Sequence, residues 1–365
     1  MNVNQRIQSV DILRGITIVG MILVNNPGDW SHIYAPLSHA EWHGLTPTDL
    51  IFPFFLFIVG ISIFYAYKSK QPNASTYKKL GLRSLKLIGL GLVLKAFTPL
   101  FPFVQDWEHI RFMGVLQRIG IVFFVTAVLY LNCNWKMLLG VAVTILLGYW
   151  LLLGFVPLPN GMAPTFDRAS NNWSNYIDLQ ILGTHMWQPD YDPEGVLGTV
   201  SAIATCILGV LVGKLLDTPL KSKTKILFLT GVILLTLGYF WNAYFPINKA
   251  LWSSSFVLVT AGYGTVILAV IYYIVDVKQW HFGAVFKQVG MNAITIYFLS
   301  EFIAKSFYLI PVGADANVHS WLYNTFFSFD GLVAKLSSLC YALVIVLIYV
   351  GLGTYLFKKN IFIKV

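Results

Sequence analysis

Charged residues are scarce in this 365-residue chain, where Asp, Glu, Lys and Arg together account for 11% of positions. Soluble domains carry roughly 25%. Apolar residues make up 57% of the chain, which is more than a water-soluble core of this length could bury. The composition therefore excludes an ordinary soluble domain and indicates a polytopic membrane protein.

Cysteine is rare as well, and the common hydrolase motifs are missing. The three cysteines show no CxxC pair and no Cys/His ligand spacing, so the sequence predicts neither a disulfide framework nor a metal site. No Walker A motif, GxSxG or HExxH occurs, which argues against nucleotide hydrolysis, a serine hydrolase and a zinc peptidase. No nucleic-acid-binding motif accompanies the net charge of +9, so nucleic acid is not an expected partner.

Ten apolar runs are long enough to cross a bilayer, which takes about 20 residues. The first has no small-residue cleavage site behind it, so we expect a retained helix and not a cleaved signal peptide. The sequence thus predicts an all-α, polytopic membrane helix bundle with about ten transmembrane helices, in one domain over residues 1–365. The runs cover roughly residues 10–27, 48–67, 80–98, 112–131, 136–156, 196–216, 224–245, 253–275, 284–307 and 333–357.

Lysine and arginine are unevenly distributed between the two predicted sides of the membrane. With the N-terminus in the cytoplasm, 18 of the 25 basic residues fall on the inner side and 7 on the outer side or in the outer half. This asymmetry follows the positive-inside rule and predicts that both termini are cytoplasmic. It also attracts anionic lipids and anionic cytoplasmic ligands. The longest loop, about residues 157–195, is then on the outer side.

Titratable residues gather at the outer mouth of the first two predicted helices, within LVNNPGDW (23–30) and SHAEWHG (38–44). A neutral imidazole such as His39 can accept a proton from an amine or hydroxyl nucleophile, and the Asn25 amide can donate a hydrogen bond to a developing oxyanion. Asp49 begins the second predicted helix. It either fixes a histidine tautomer or holds an ammonium group, or it simply interacts favourably with the helix N-terminus.

A second polar group surrounds the start of the fourth predicted helix. Arg111 and Arg118 share one helix face, and such arginines are costly in a membrane unless they pair or face a polar cavity. Arg111 suits snorkelling to outer phosphates, whereas Arg118 lies two turns deeper. Asp192 and Glu194 precede the sixth helix, where acids favour a helix start.

The segments PINKALWSSSF (246–256) and GMNAITIYFLSE (290–301) add further polar side chains. They place Asn248, Lys249, Trp252, Asn292 and Glu301 near the predicted outer half of the bundle. Glu301 lies within a span and therefore needs a partner or water, and Lys305, one turn further on, is available as that partner.

Basic residues at the predicted inner end could converge on an anionic ligand. Arg6 and Arg14 lie at the start of the first helix, and Lys358, Lys359 and Lys364 lie near the C-terminus. For most inner lysines, topology alone is a sufficient explanation. Arg14 differs because Asp11 lies one turn before it and apolar residues follow at once, so it could hold a phosphate group.

Taken together, these motifs resemble the heparan-α-glucosaminide N-acetyltransferase family of transmembrane acyltransferases. The resemblance runs in order over nearly the whole chain, through SVDILRGITIVGMILVNNPGDW, HAEWHGLTPTDLIFPFFLF, RFMGVLQRIG, DPEGVLGT, PINKALWSSSF, GMNAITIYF and LFKKNIFIKV. It implies that an acetyl group passes from cytoplasmic acetyl-CoA to a sugar amine across the membrane. By position, the family's essential histidine falls on His39 and its companion asparagine on Asn25. The residues expected to contact the CoA phosphates fall on Arg6, Arg14 and Lys364.

Two departures from the family pattern bear on the acceptor. The chain begins at its first membrane helix with no large luminal domain ahead of it, and His43 stands where the family usually has asparagine. The resemblance therefore implies a compact, bacterial-type member in the inner membrane. Its expected acceptor is an amino sugar such as glucosamine, or a cell-wall fragment, and a homodimer is a further expectation.

The sequence leaves two functions open. In the first, His39 and Asn25 catalyse acetyl transfer, and Asp49, Arg118, Asn248 and Trp252 contribute to the acceptor site. The alternative is a secondary transporter for amino sugars or sugar acids, with His39, Glu301 and Arg118 in a proton-coupled pathway. Transporters bind near the midplane and often contain internal repeats. This chain shows no internal repeat and gathers its titratable residues at the outer mouth, which favours the acetyltransferase.

Overall fold

The computed structural model describes residues 7–220, 222–329, 331 and 333–363. Within these residues the regular secondary structure is almost all helical, because long apolar runs rarely interrupted by proline satisfy their backbone hydrogen bonds locally. A short antiparallel pair, β1 (Pro311–Val312) and β2 (Ala316–Asn317), is the one sheet described. The helices are α1 (Gln8–Asn25), α2 (Ile51–Tyr67), α3 (Ala74–Ala96), α4 (Val115–Asn132), α5 (Trp135–Phe155), α6 (Trp173–Leu182), α7 (Val196–Asp217), α8 (Lys223–Trp241), α9 (Ser254–Tyr272), α10 (Ala284–Gly290), α11 (Ala293–Leu309), α12 (Val318–Phe326) and α13 (Ala334–Lys358).

Eight stretches of helix in the described part of the chain are long and apolar enough to cross a membrane. Each coincides with a predicted run, so the prediction of an all-α, polytopic membrane bundle is confirmed. The stretches are Gln8–Asn25, Pro47–Tyr67, Val115–Asn132, Trp135–Phe155, Val196–Asp217, Lys223–Trp241, Ser254–Val277 and Ala334–Lys358.

The other two predicted runs are helical too, but they differ from a simple apolar span. Helix α3 carries five basic residues, Lys78, Lys79, Arg83, Lys86 and Lys95. The run predicted over 284–307 is divided into α10 and α11. Helix α10 lies directly against α1: a Cβ added to Gly290 would stand 2.3 Å from the backbone oxygen of Asp11. Glycine at this contact allows the two backbones to approach closely.

Successive crossing helices alternate in direction, so their connections gather at two ends. We call the end with connections 26–50, 97–114, 156–195, 242–253 and 310–333 the cavity end, and the opposite end, with residues 359–363, the tail end. Asn292 belongs to the tail end, since its amide donates to the Ile361 oxygen and its carbonyl accepts from the Ile363 nitrogen, at 2.9 and 3.0 Å. The expectation that Asn292 and Glu301 share the outer half is wrong, because α11 begins at the tail and carries Glu301 away from it.

Helices α2 and α7 form the central pair of the bundle. A Cβ on Gly60 would stand 2.0 Å from the Cys206 oxygen, and one on Gly209 would stand 2.0 Å from the Phe57 oxygen. Their backbones therefore touch, and small residues at such contacts are what membrane helices use to pack closely. This pair fixes the N-terminal ends of α2 and α7 side by side, and both ends contribute to the site described next.

Candidate active site

A cavity of about 870 Å³ lies at the cavity end of the bundle. Its walls come from α1, α2, α3, α4 and α11 and from the connections at this end, including those that precede α7 and α9. His39 and Asn25, the two predicted catalytic residues, both line it. Among the four residues predicted for the acceptor site, Asp49 lines the cavity as well. The structure therefore brings together residues from α1, the loop that follows it and the start of α2.

Asp49 is held by the chain that precedes α2. A short 3₁₀ helix, Pro47–Leu50, follows Thr46 in a capping box, in which the Thr46 nitrogen and hydroxyl both donate to Asp49 Oδ2 at 3.0 Å. The Ala40 nitrogen donates to the same oxygen at 3.2 Å. The side chain is 1% exposed. Asp49 therefore caps the start of a helix, as the helix N-terminus alternative predicts. Its other oxygen faces His39.

His39 forms a close pair with this buried carboxylate. Its Nδ1 lies 2.7 Å from Asp49 Oδ1, and its side chain is 49% exposed. A carboxylate only accepts hydrogen bonds, so the pair assigns the imidazole proton to Nδ1. The lone pair of the neutral ring is then on Nε2, where a base or a nucleophile needs it.

The sequence places Lys249 near the outer half of the bundle without a role, and the structure brings its ammonium to His39. Its Nζ lies 3.0 Å from His39 Nε2 and 3.1 Å from Nδ1, and 3.9 Å from Asp49 Oδ1. Burial lowers the pKa of Lys249 from its ordinary value, although Glu194 and Asp49 act in the opposite direction. Its sequence signal is its place in PINKALW, between Asn248 and Trp252. Local patterns give no indication of a contact across 210 positions.

Asn25 ends α1 and faces an acid on α11. Its Nδ2 donates to Glu301 Oε1 at 2.9 Å, and both residues line the cavity. The expected partner of Glu301 was Lys305, and that expectation is wrong. The Lys305 ammonium instead donates to the Leu94 and Lys95 oxygens, at 2.9 and 2.8 Å, at the C-terminal end of α3. A lysine in this position also interacts favourably with the helix dipole.

Arg111 forms a buried ion cluster with the two acids that precede α7. Its guanidinium donates twice to Asp192, at 2.8 and 2.5 Å, and once to Glu194. The expectation that Arg111 snorkels to phosphates is therefore wrong, because two carboxylates hold it in place. Burial raises the pKa of Glu194, but Arg111, Arg118 and Lys249 outweigh it and lower that pKa to about 2. Glu194 and Arg111 both line the cavity as charged groups.

Arg118 and Trp252 lie behind the cavity wall. Arg118 is fully buried; its Nε donates to Thr199 Oγ1 and its Nη2 to the Gly195 oxygen, both at 3.1 Å. Its guanidinium stands 4.9 Å above the Trp252 ring. Neither residue lines the cavity. They support the N-terminal end of α7, which carries Glu194 just before it.

Asn248 also supports the wall, and it too lies outside the lining. Its Oδ1 accepts from the Leu251 nitrogen at 2.8 Å, which folds residues 248–251 into a tight turn. Its Nδ2 donates to His43 Nδ1 at 3.2 Å, and His43 Nε2 lies 3.1 Å from Asp167 Oδ1. The turn that presents Lys249 is therefore attached both to the 38–44 segment and to the long 156–195 connection.

Arg14 lies away from the cavity lining, toward the tail end of α1. Its Nη1 donates to Asp11 Oδ1 and its Nη2 to Ser62 Oγ, both at 2.8 Å. The other two residues predicted to contact CoA, Arg6 and Lys364, lie outside the described residues. Residues 361–363 are bound to Asn292, and α10 joins them to α1 near Asp11. Helix α10 therefore lies between the part of α1 that carries Arg14 and the last described residues, 361–363.

Comparison with known proteins agrees with the motifs. A family model described as heparan-alpha-glucosaminide N-acetyltransferase, catalytic, matches residues 6–180, which include Asn25, His39 and Asp49. The human heparan-alpha-glucosaminide N-acetyltransferase is 34% identical over 358 residues, covering 80% of this chain and 52% of the human protein. The mouse protein of the same name is 32% identical over 367 residues, covering 83% and 54%. The chain spans about half the length of these curated relatives, and it belongs to the heparan-α-glucosaminide N-acetyltransferase family.

Proposed function

We propose that this protein is a transmembrane N-acetyltransferase that moves an acetyl group from acetyl-CoA to the amino group of an amino sugar of the glucosamine type. The relatives are named for such a transfer. The observation that carries the proposal is the pair formed by His39 and the buried Asp49 in the wall of a large cavity, 2.7 Å apart. This pair supplies what amine acylation requires, an oriented base.

The chemistry centres on His39 Nε2. In direct transfer, Nε2 takes a proton from the acceptor ammonium, and the free amine attacks the thioester carbon. In the alternative, Nε2 attacks first and carries the acetyl group before the amine receives it. Both routes need the proton on Nδ1, and Asp49 Oδ1 holds it there. Asp49 is a positioning residue in either case, since the imidazolium that forms is stabilised by its charge.

Asn25 is our candidate for stabilising the tetrahedral oxyanion. One N–H of its amide donates to Glu301, which orients the amide group in the cavity wall. An asparagine amide has a second N–H, which we assign to the developing oxyanion. Four acidic and four basic side chains line the cavity, so an incoming ammonium group would be bound by an individual carboxylate such as Glu41 or Glu301 and not by a net negative charge.

The donor is proposed to approach from the tail end. Acetyl-CoA is a polyanion, and basic residues predominate on the predicted cytoplasmic side. Arg14, with Arg6 and Lys364 outside the described residues, is our candidate for holding the phosphates. A guanidinium fits this task because it presents several donors to one phosphate group. Asp11 and Ser62 orient Arg14, at 2.8 Å each.

The setting of the enzyme is part of the proposal. We place it in the inner membrane of a bacterium as one transmembrane acyltransferase domain over residues 1–365, with the cavity end outside. In this orientation the donor is met on the cytoplasmic side and the acceptor on the outer side, with His39 at the outer mouth. Arg118, Asn248 and Trp252 then shape the acceptor site from behind its wall, and a homodimer remains an expectation.

The test is CoA release from acetyl-CoA by the purified protein in detergent, with glucosamine present or absent. We expect release that depends on the amine, together with formation of N-acetylglucosamine. Binding of acetyl-CoA without any amine-dependent release would reject glucosamine as the acceptor. If acetyl-CoA does not bind and vesicles containing the protein accumulate glucosamine in response to a proton gradient, the transporter alternative replaces the proposal.

A further inference from the structure

Lys249 places an amine against the proposed base. Its Nζ is 3.0 Å from His39 Nε2 and 3.1 Å from Nδ1, and the same nitrogen is 3.9 Å from Asp49 Oδ1. An acceptor amine has to reach this position to pass a proton to His39, because proton transfer requires hydrogen-bond distance. The chain's own lysine thus places an amine within the distance that the proposed reaction demands of its substrate, and rotation of its stem would align that amine with the Nε2 lone pair.

The turn around Lys249 fixes the backbone and leaves the side chain long enough to move. Asn248 Oδ1 accepts from the Leu251 nitrogen, and the Asn248 nitrogen donates to Ser253 Oγ at 3.0 Å. A lysine ammonium sits on a flexible four-carbon stem, so it can leave His39 without any backbone change. Glu194 lines the same cavity, and its charge attracts the Lys249 ammonium.

We infer that Lys249 occupies the acceptor amine's position and that the protein acetylates Lys249 itself when acetyl-CoA binds without an acceptor. The inference rests on the proposed function, because it needs the same donor and the same base. Lys249 is then a self-modification site inside the cavity, and an incoming amino sugar must displace its ammonium to react.

The step balances as an ordinary amine acylation. The Lys249 ammonium gives one proton to His39 Nε2, and the free amine attacks the carbonyl carbon of the thioester. The C–N bond forms as the C–S bond breaks, and the second N–H proton goes to the departing thiolate. The products are acetyl-lysine and free CoA, and His39 returns its proton to water. Burial lowers the pKa of Lys249 from its ordinary value, which makes the first proton transfer easier.

Two other lysines, Lys95 and Lys305, line the cavity and act as internal controls. Lys305 donates to the last carbonyl oxygens of α3, and Lys95 belongs to the last turn of that helix. In the part of the chain that the structure describes, Lys249 is the lysine whose ammonium lies within hydrogen-bond distance of His39. Lys335, exposed at the cavity end, reports acetylation that needs no enzyme.

The experiment incubates the purified full chain with acetyl-CoA alone, followed by intact mass measurement and peptide mapping. We expect one added acetyl group, located on Lys249, which is absent from His39→Ala and from Lys249→Arg. Arginine keeps the positive charge but does not lose its proton, so the variant has no nucleophile. Acetylation on Lys95, Lys305 or Lys335 at the level of Lys249, or on Lys249 in His39→Ala, would overturn the inference.

A competition experiment tests the shared position. With glucosamine at about ten times its Kd, Lys249 acetylation should fall about tenfold, because one position cannot hold both amines. If glucosamine does not change the acetylation of Lys249, the claim that both amines occupy one position is wrong. Amine-dependent CoA release is measured on the same preparation. Amine-dependent CoA release without Lys249 acetylation would reject this inference alone. If neither CoA release nor Lys249 acetylation occurs, both this inference and glucosamine as the acceptor are rejected.

Discussion

The two ends of the bundle hold charge in different ways. At the cavity end, Arg111 is buried and bound to two carboxylates, and His39 is bound to an aspartate that is 1% exposed. At the tail end, most basic residues are exposed to the surroundings, among them Lys78, Lys79, Lys136, Lys214, Lys278, Lys358 and Lys359. Buried pairs depend on exact partners, whereas exposed charges act together through the field that they create. Single substitutions should therefore have strong effects at one end and weak effects at the other.

The difference also separates two tasks. Chemistry at the cavity end requires fixed atoms, and the hydrogen bonds around Asp49 and Asn25 provide fixed geometry. Topology and attraction of an anionic donor require only a net positive charge near the membrane surface. Arg14 is intermediate, since it is charged like the tail-end lysines but held by Asp11 and Ser62 like the cavity residues.

The largest effect is expected from Asp49→Asn. The substitution keeps an oxygen that can cap the short helix, but its amide cannot stabilise the His39 imidazolium. We expect CoA release in the presence of glucosamine to fall by about 10² to 10⁴-fold. The matched control is Asp29→Asn, because Asp29 pairs with His32 at the same 2.7 Å in a more exposed position. Equal losses in the two variants would contradict a special role for Asp49.

The next largest effect is expected from Arg111→Met. The substitution leaves Asp192 and Glu194 without the cation that both bind. Removing one partner of a buried pair costs about 3 to 5 kcal/mol. Thermal unfolding in detergent should show this loss. Lys68→Met, which breaks the exposed pair with Asp217, should cost at most about 1 kcal/mol. Comparable losses in both variants would remove the proposed contrast between the ends.

A smaller effect is expected from pH, through Asp178 on α6. Burial raises the pKa of Asp178 from 3.8 to about 7. Between these values the folded protein binds the proton more tightly than the unfolded chain does. The contribution of Asp178 to stability is therefore full below pH 3.8 and is lost as pH rises toward 7. The slope should approach about 1.4 kcal/mol per pH unit.

Asp178→Asn provides the control for that slope. The asparagine oxygen can still accept the hydrogen bond from the Val196 nitrogen, which is 2.8 Å long in the structure. Unfolding of the variant, followed between pH 4 and pH 7, should lack the decline that the parent protein shows. A parent and a variant with the same pH dependence would show that Asp178 does not titrate differently in the folded protein.

The smallest effect is expected from a single tail-end lysine. Lys78→Gln removes one exposed charge from α3. Stability should change by less than about 0.5 kcal/mol, and amine-dependent CoA release should remain near the parent level. A loss of release as large as that of Asp49→Asn would show that the tail end also depends on individual side chains.

Much of the fold could be predicted because membrane helices depend on local composition. Runs of about 20 apolar residues need no distant partner to form helices, and eight predicted runs meet the criteria for crossing a membrane. The pairing of His39 with Asp49 could also be predicted from the sequence, because both residues belong to one short segment before α2. Because helices α1 and α2 fix the two ends of this loop, few loop conformations are possible and most of them keep the two side chains close.

The partners of the deeper charges could not be predicted in this way. Glu301 was assigned to Lys305, one turn away, because helical spacing reveals only local neighbours. Its partner in the structure, Asn25, is 276 positions distant. Arg111 meets Asp192 and Glu194 across 81 and 83 positions. Such contacts arise from packing of the whole bundle, which no single motif encodes.

The most direct test of the account is the turnover of His39→Ala beside His32→Ala. His32 lies in the same connection and also pairs with an aspartate, but it does not line the cavity. We predict that His39→Ala loses amine-dependent CoA release by about 10² to 10⁴-fold while still binding acetyl-CoA, and that His32→Ala keeps near-parent activity. Unchanged turnover in His39→Ala would contradict the mechanism at its centre.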